Sequence, residues 1–230
     1  MAWQSQTGFR AGVDTVLLAA CVPAKPGDRV LDMGCGAGVA SLCVQARVSG
    51  AECLGVEREP IYAQIARDNG IEVEEADVLA LPKALKEQQF DHVLANPPYY
   101  APQSRMASPD PKREVALAET GDLSAWIEVA SKRCAPKGSV SFVQKAARLP
   151  DLLPAFAAHL GDVVVQPYAP RSGRPAHLVV VQGWRGTRGP FRLNAPIILH
   201  SGMRHTDDGE DYTEAMQQIL RNGRAIDLCR

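Results

Sequence analysis

The chain has 230 residues, of which 46% are hydrophobic and 22% are charged, a composition typical of a globular protein. This length predicts one domain with at most a small appendage. No apolar run reaches the roughly 18 residues that a membrane-spanning helix needs, so no membrane partner is expected. The formal net charge of −1 gives no general attraction to nucleic acid and counts mildly against an RNA substrate.

The six cysteines form no Cys-x-x-Cys pair, and their spacing fits neither a disulfide framework nor a zinc site. They are typical of buried thiols in a reducing compartment, which predicts a cytoplasmic protein. His200 and His205 are separated by a spacing that matches no helical pair of metal ligands. No metal is therefore expected, and nothing in the sequence predicts an oligomeric state.

Strand-like and helix-like patterns alternate along most of the chain. The first helix is predicted over residues 14–22, with Asp14 as its N-cap. Parallel strands are predicted over 29–33, 51–57, 71–75, 90–95 and 139–144, and helices over 39–48, 60–70, 122–134 and 149–160. Two further strands, 163–166 and 177–182, have no full helix between them, which predicts an antiparallel pair at the sheet edge.

These elements predict an α/β protein with a doubly wound, Rossmann-like fold. Its mostly parallel seven-stranded sheet has helices on both faces, an antiparallel edge and a short C-terminal extension. We expect three parts within one globule: an N-terminal segment over 1–28, the main domain over 29–185 and the extension over 186–230.

The first functional motif is Val30-Leu-Asp-Met-Gly-Cys-Gly-Ala-Gly38, at the junction of the first strand and the next helix. Glycines there allow close approach of a ligand, and the N–H groups at the helix start are expected to be available to it. Glu57 ends the second strand, where a carboxylate can accept hydrogen bonds from both hydroxyls of a ribose. Asp77 follows the third strand and can accept from an adenine amino group, while Val78 can pack on the ring.

Together these features resemble the class I S-adenosylmethionine methyltransferases over about residues 29–145. The resemblance implies S-adenosyl-L-methionine as the cofactor and the corresponding methyltransferase fold. The residues expected to bind this cofactor are Asp32, Gly34, Cys35, Gly36, Gly38, Glu57, Arg58, Asp77, Val78 and Asn96.

The second motif is Asn96-Pro97-Pro98-Tyr99, which follows the fourth strand at the carboxyl edge of the predicted sheet. An amino group conjugated to a ring is a poor nucleophile because its lone pair is delocalised. The Asn96 side-chain oxygen and the Pro97 carbonyl can accept its two hydrogens and favour tetrahedral geometry, while Tyr99 offers a face for stacking. This motif resembles the N-P-P-Y signature of the amino-methyltransferases, which implies catalytic roles for Asn96, Pro97 and Tyr99.

Two basic segments are candidates for substrate contact. Tyr100 and the residues after it form a proline-containing stretch, read either as a basic lid over the substrate or as a surface loop without a role. The stretch between Asp162 and Asp207 contains six arginines and no acidic residue, which predicts a local basic face suited to phosphate. The candidate substrate-binding residues are Tyr100, Arg105, Lys112, Arg113, Arg171 and Arg174.

The flanking segments narrow the resemblance further. They are Gln4-x-x-x-Gly8-Phe-Arg-x-Gly-Val-Asp14, Tyr168-x-Pro-Arg171-x-Gly-Arg-Pro-Ala176, Ile198-Leu-His200 and Asp208-Gly-x-x-Tyr212-Thr-x-Glu214. Nearly end to end, the chain resembles the bacterial tRNA adenine-N6 methyltransferases that modify adenosine 37 of a valine tRNA. The resemblance implies a tRNA substrate, and an N-terminal segment containing Arg10 and Asp14 that closes over the cofactor; Asp14 alone is equally well explained as a helix cap.

Other functions remain open from the sequence. A release-factor glutamine-N5 methyltransferase shares N-P-P-Y but usually carries a helical domain before the fold. A DNA adenine methyltransferase normally needs a separate recognition domain, for which this length leaves no room. An RNA-binding module that holds the cofactor without turnover is a different class of explanation, against which the intact Asn96–Tyr99 motif speaks.

Overall fold

The computed structural model of the protein describes residues 2–4, 10–98, 123–202 and 211–228. Several residues singled out from the sequence lie outside these ranges: Gly8, Phe9, Tyr99, Tyr100, Arg105, Lys112, Arg113, Arg204 and His205.

One sheet of nine strands runs through the described part of the chain, in the order β3-β2-β1-β4-β5-β7-β6-β8, with β9 also paired to β6. The first five strands are parallel, and β7 lies antiparallel between β5 and β6. The predicted doubly wound fold class is confirmed, but the strand number of seven was too low because the extension adds two short strands to the edge. The strands are β1 (Arg29–Met33), β2 (Glu52–Glu57), β3 (Glu72–Glu75), β4 (Phe90–Ala95), β5 (Cys134–Lys145), β6 (Gly161–Ala169), β7 (Leu178–Trp184), β8 (Arg192–Leu193) and β9 (Ile197–Ile198).

Helices cover both faces of the sheet. They are α1 (Val13–Cys21), α2 (Val39–Arg47), α3 (Pro60–Asp68), α4 (Lys83–Lys86), α5 (Leu123–Arg133), α6 (Leu149–His159) and α7 (Glu214–Asn222), with short 3-10 turns at Val78–Ala80 and Ala146–Arg148. None of the helices in the described ranges is long and apolar enough to cross a membrane.

The alternation of side chains along the strands builds a core on each face. In β1, Val30 packs into one cluster with residues of α1, α2 and α7, whereas Leu31 and Met33 pack into another with residues of α5 and α6. All three side chains are fully buried. Strands buried on both faces read as continuous apolar runs, which is why they are recognisable in the sequence.

The start of α1 differs from the prediction. The helix begins at Val13, and Gly12 is its N-cap residue. Asp14 therefore lies in the first turn, and its Oδ1 accepts a hydrogen bond of 2.9 Å from the N–H of Thr15. The prediction of Asp14 as the N-cap was wrong, because the helix begins one residue earlier.

The C-terminal extension packs against the main sheet. β8 and β9 pair with β6, and Met216 and Ile219 of α7 are buried in the cluster that contains α1. His200 stacks on Tyr212 with ring centroids 4.8 Å apart, and its Nδ1 lies 2.6 Å from Asp211 Oδ1. His200 therefore joins two segments of the extension.

Replacement of Phe156 tests the importance of the α6 face. Its ring is fully buried and lies edge-on to Phe142, with centroids 5.7 Å apart. Phe156→Ala is expected to lower the free energy of unfolding by about 3–5 kcal/mol, because it loses apolar burial and leaves a cavity. Urea denaturation measures this change. Phe191→Ala is the control, since Phe191 is 54% exposed, and a change beyond about 0.5 kcal/mol there would be unexpected.

Candidate functional site

The two sequence motifs meet at the carboxyl edge of the sheet. In register, Met33 of β1 lies between Val56 of β2 and Ala95 of β4. The glycine loop, Glu57 and Asn96 directly follow these three residues and therefore lie side by side. This edge lies where the chain order reverses between β1 and β4, the point at which doubly wound folds bind ligands.

The glycine loop is tied to the end of β2. The N–H groups of Gly34 and Cys35 both donate to the Val56 carbonyl, at 2.8 and 3.0 Å, and the N–H of Gly36 donates to Glu57 Oε2 at 2.9 Å. Gly34 and Gly38 have φ angles of 69° and 77°, a region that residues with a Cβ rarely adopt. The N–H groups of these three loop residues are therefore engaged within the protein, while the prediction of available N–H groups concerns the start of α2.

Glu57 is oriented by two backbone groups. Besides the bond from Gly36, its Oε1 accepts a hydrogen bond of 2.9 Å from the N–H of Glu59, and the residue is only 9% exposed. Each carboxylate oxygen retains further acceptor capacity, so two neighbouring hydroxyls can still bind. Arg58, also predicted at the cofactor site, has its Nε 3.4 Å from Glu59 Oε1.

Asp32 links β1, which precedes the loop, to α2, which follows it. Its Oδ2 accepts a hydrogen bond of 2.8 Å from the Ser41 hydroxyl, and the carboxylate also accepts from the Ser41 N–H in the first turn of α2. Burial raises the pKa of Asp32 to about 6, against which the Ser41 hydrogen bonds act. With only 2% of the residue exposed, Asp32 fixes β1 to the start of α2.

The Cys35 side chain points into the protein. A Cβ added at Gly55 of β2 would lie 2.5 Å from Cys35 Sγ, so Gly55 makes room for this side chain. Burial raises the pKa of the Cys35 thiol well above its ordinary value. The predicted contribution of Cys35 to a cofactor site is thus limited to its backbone, and Gly55 is a requirement that the sequence analysis missed.

The turn after β3 presents a different apolar side chain from the one predicted. Asp77 Oδ1 accepts a hydrogen bond of 2.8 Å from the Leu79 N–H and caps the 3-10 turn Val78–Ala80. Val78 is 5% exposed and packs in the core, whereas Leu79 is 39% exposed. The turn directs Val78 toward the core and leaves Leu79 as its apolar side chain at the surface, so the contact of Val78 with a ligand ring stays a prediction.

Two residues that the sequence analysis missed hold the second motif. Asn96 Nδ2 donates to Thr15 Oγ1 of α1 at 3.1 Å. Gln144 Nε2 of β5 donates to the carbonyls of Pro97 and Pro98, at 3.1 and 3.3 Å. The sequence contained one signal for Gln144. A glutamine within the apolar run of β5 indicates a buried amide, which needs hydrogen-bond partners.

The acid-free stretch does not form a single basic face. β7 is antiparallel to β5, with Leu178 opposite Lys145 and Trp184 opposite Ser139. Arg171 and Arg174, before β7, therefore lie at the carboxyl edge, whereas the segment after Trp184, with Arg185 and Arg188, begins at the opposite edge. The prediction of one basic face was wrong because the fold separates these arginines.

At the carboxyl edge, Arg171 and Arg174 differ in their surroundings. Arg171 forms an ion pair with Asp211 and donates to the carbonyl of Ser201, with its side chain 14% exposed. Arg174 is exposed. Among the residues that the structure describes, no group of three or more His, Cys, Asp or Glu side chains could hold a metal ion.

Several known proteins with related sequences or structures are named as methyltransferases. The family model described as "Methyltransferase small domain" matches residues 9–145, more than half of the chain. The tRNA1(Val) (adenine(37)-N6)-methyltransferase of Dickeya chrysanthemi (strain Ech1591) is 27% identical over 225 residues, which cover 93% of this chain and 87% of that protein. A protein of the same name from Porphyromonas gingivalis (strain ATCC 33277) is 33% identical over 164 residues, and this alignment covers 64% of each chain.

Among solved structures, one described as a predicted O-methyltransferase, protein Atu636 from Agrobacterium tumefaciens, has a similar fold. Its TM-score is 0.73 at 29% identity, with 92% of this chain and 97% of that chain covered.

The buried Asp32 predicts a pH dependence of stability. Because its pKa of about 6 in the folded protein exceeds the ordinary value of 3.8, the folded state binds the proton more tightly than the unfolded chain. The free energy of unfolding should therefore fall as the pH rises from about 4 to about 6, by at most about 3 kcal/mol. Asp32→Asn cannot ionise, so urea unfolding of the variant should lack this part of the decline. Parallel pH profiles for the two proteins would contradict the assignment.

Proposed function

We propose that this chain, which belongs to the methyltransferase small domain family, transfers a methyl group from S-adenosylmethionine to the N6 amino group of an adenine in tRNA. The observation that carries the proposal is the pair of acceptor oxygens on Asn96 and Pro97, next to the glycine loop and Glu57. The curated relatives named for adenosine 37 of tRNA1(Val) support this nucleotide as the target. A tRNA substrate implies work in the cytoplasm.

The residues at the carboxyl edge fit this cofactor. Glu57 has acceptor capacity for two ribose hydroxyls, Asp77 can accept from the adenine amino group, and the exposed Leu79 can cover the ring. When bound, the cofactor would supply a methyl group from its sulfonium. The S–C bond to that methyl group breaks as the new N–C bond forms, and the neutral thioether is the leaving group. The glycine loop is already shaped for it by the bonds to Val56 and Glu57, so little ordering is needed on binding.

The acceptor pair suits nitrogen better than oxygen as the methylated atom. An exocyclic amine carries two hydrogens, and Asn96 Oδ1 and the Pro97 carbonyl can each accept one. A hydroxyl carries a single hydrogen and would leave one of these acceptors without a partner. Holding both hydrogens favours a tetrahedral nitrogen whose lone pair can attack the methyl carbon, and the surplus proton then leaves to solvent. The chemistry therefore depends mainly on positioning.

Replacement of Asn96 tests the site. Asn96→Ala is expected to lower methyl transfer to unmodified tRNA by about 100-fold or more, because one of the acceptors is lost. Binding of S-adenosylmethionine, measured by calorimetry, should persist. Asn222→Ala is the matched control, since this asparagine lies on α7 and its Nδ2 donates to Gln218 Oε1. Activity that Asn96→Ala leaves undiminished would refute the site.

The labelled product decides between substrates. Total tRNA, rRNA and protein fractions are each offered with methyl-labelled cofactor, and the product is then digested and identified. The proposal requires N6-methyladenosine from tRNA; label in a glutamine of protein would instead support the release-factor alternative.

Arg174 provides a test of the tRNA surface. It is exposed in the loop between β6 and β7, at the same carboxyl edge of the sheet as the acceptor pair. Arg174→Ala should weaken tRNA binding several-fold and reduce the slope of log affinity against log salt by about 0.7–0.9, because one phosphate contact is lost. Fluorescence anisotropy across a salt series measures both. Arg188→Ala, exposed beyond the opposite edge, should leave affinity and slope unchanged.

A further inference from the structure

We propose that Thr15 and Gln144 are positioning residues for methyl transfer, which set the direction of the Asn96 amide and the path of the Pro97–Pro98 backbone. This inference rests on the proposed function, since it concerns the same acceptor oxygens. Neither residue belongs to the glycine loop or to the Asn-Pro-Pro motif: Thr15 lies in α1 and Gln144 in β5. Both are buried, with 5% of Thr15 and 0% of Gln144 exposed.

The Thr15 hydroxyl holds the NH2 end of the Asn96 amide. An asparagine side chain presents an oxygen at one end and an NH2 group at the other, and only the oxygen can accept a substrate hydrogen. Thr15 Oγ1 accepts from Asn96 Nδ2 at 3.1 Å. This hydrogen bond engages the donor end and leaves Oδ1 as the end available to the substrate.

The position of Thr15 is itself fixed, because the far end of α1 is anchored to the sheet and to α2. Gln182 Nε2 donates to the Cys21 carbonyl at 2.9 Å, and Arg47 Nη2 donates to the carbonyls of Ala19 and Val22 at 3.1 and 2.6 Å. Cys21 Sγ lies 3.2 Å from the hydroxyl of Tyr168, which is fully buried. The helix thus connects a rigid part of the core to the Asn96 side chain.

Gln144 compensates for a weakness of the Asn-Pro-Pro turn. Pro97 and Pro98 have no N–H group, so these residues cannot stabilise the turn with backbone donors of their own. Gln144 Nε2 supplies the missing donor to both carbonyls. Its Oε1 accepts the Lys145 N–H at 3.0 Å, which fixes the donor end of the amide toward the prolines. Each carbonyl oxygen has a second lone pair, so the Pro97 oxygen can still accept from a substrate.

The consequence is a prediction about turnover rather than cofactor binding. A misdirected acceptor leaves the substrate amine planar, which slows the chemical step, while the residues that hold the cofactor are unaffected. Misplacement by about 1 Å can cost about 100-fold in rate. We therefore expect a fall in kcat of about 10- to 100-fold when either support is removed, with the KM for S-adenosylmethionine within about twofold of the original value.

The test uses Thr15→Val, which keeps the shape but removes the hydroxyl, and Thr15→Ser, which keeps the hydroxyl. Gln144→Met removes the amide at similar length. Thr15→Val and Gln144→Met should lower kcat on tRNA as stated, and Thr15→Ser should retain most of it. Thr187→Val and Gln217→Met are matched controls, since each loses a side-chain hydrogen bond to a backbone carbonyl, at the opposite edge and on α7 respectively. Full activity in Thr15→Val and Gln144→Met would overturn the inference.

A second measurement does not depend on activity and separates this inference from the proposed function. In nitrogen-15 NMR spectra, Thr15→Val should shift the side-chain NH2 signals of Asn96 and speed their exchange with water, while those of Gln182 stay in place. Unchanged Asn96 signals would refute the Thr15 contact whatever the substrate is. If the wild-type protein methylates no tRNA while Thr15→Val still causes the expected Asn96 shifts, the proposed function is refuted and the positioning contact alone is supported. Urea unfolding of Gln144→Met distinguishes a folded, slow enzyme from an unfolded one.

Discussion

The hydrogen bonds between the glycine loop and the end of β2 are the constraint on which the cofactor half of the site depends. One carbonyl, that of Val56, accepts from two consecutive loop residues, and the Glu57 carboxylate accepts from a third. The loop thereby continues the β1–β2 pairing past the last residues of the strands. Its shape follows from the sheet, and the glycines are needed because the required φ angles exclude most side chains.

A buried carboxylate, Asp32, holds together the strand before the loop and the helix after it. Asp32 is costly to ionise in the core, as its raised pKa indicates, yet its contacts with Ser41 hold β1 against the start of α2. Glu57 is held by the N–H groups of Gly36 and Glu59, and Asp32 by Ser41 of α2, so the two acids act at different points of the connection between β1 and α2. Of the two acids, only Glu57 accepts a hydrogen bond from the loop backbone, so their structural roles differ.

The order of elements along the chain was accessible from the sequence because strands buried on both faces are continuous apolar runs. Glu57 and Asn96 could be assigned to the carboxyl edge for the same reason, since Glu57 ends such a strand and Asn96 follows one, whereas Asp77 could be assigned because alternation marks the exposed β3. Thr15 and Gln144 could not be assigned, because they meet their partners across 81 and 47 residues of chain, and such contacts depend on packing. The exposure of Leu79 rather than Val78 depends on the direction of a single 3-10 turn, which composition does not encode.

The distribution of charged residues along the sequence did not predict their distribution over the folded protein. The run without acidic residues looks uniformly basic, but the antiparallel β7 carries its two ends to opposite edges of the sheet. Asp211, from beyond the run, then pairs with Arg171 and removes much of its field. A near-neutral protein that binds a polyanion needs only a few cations close to the reacting atoms, because screening confines each contact to roughly 10 Å. The loop between β6 and β7 leaves Arg174 exposed at the edge where Asn96 lies, whereas Arg185 and Arg188 belong to the other edge.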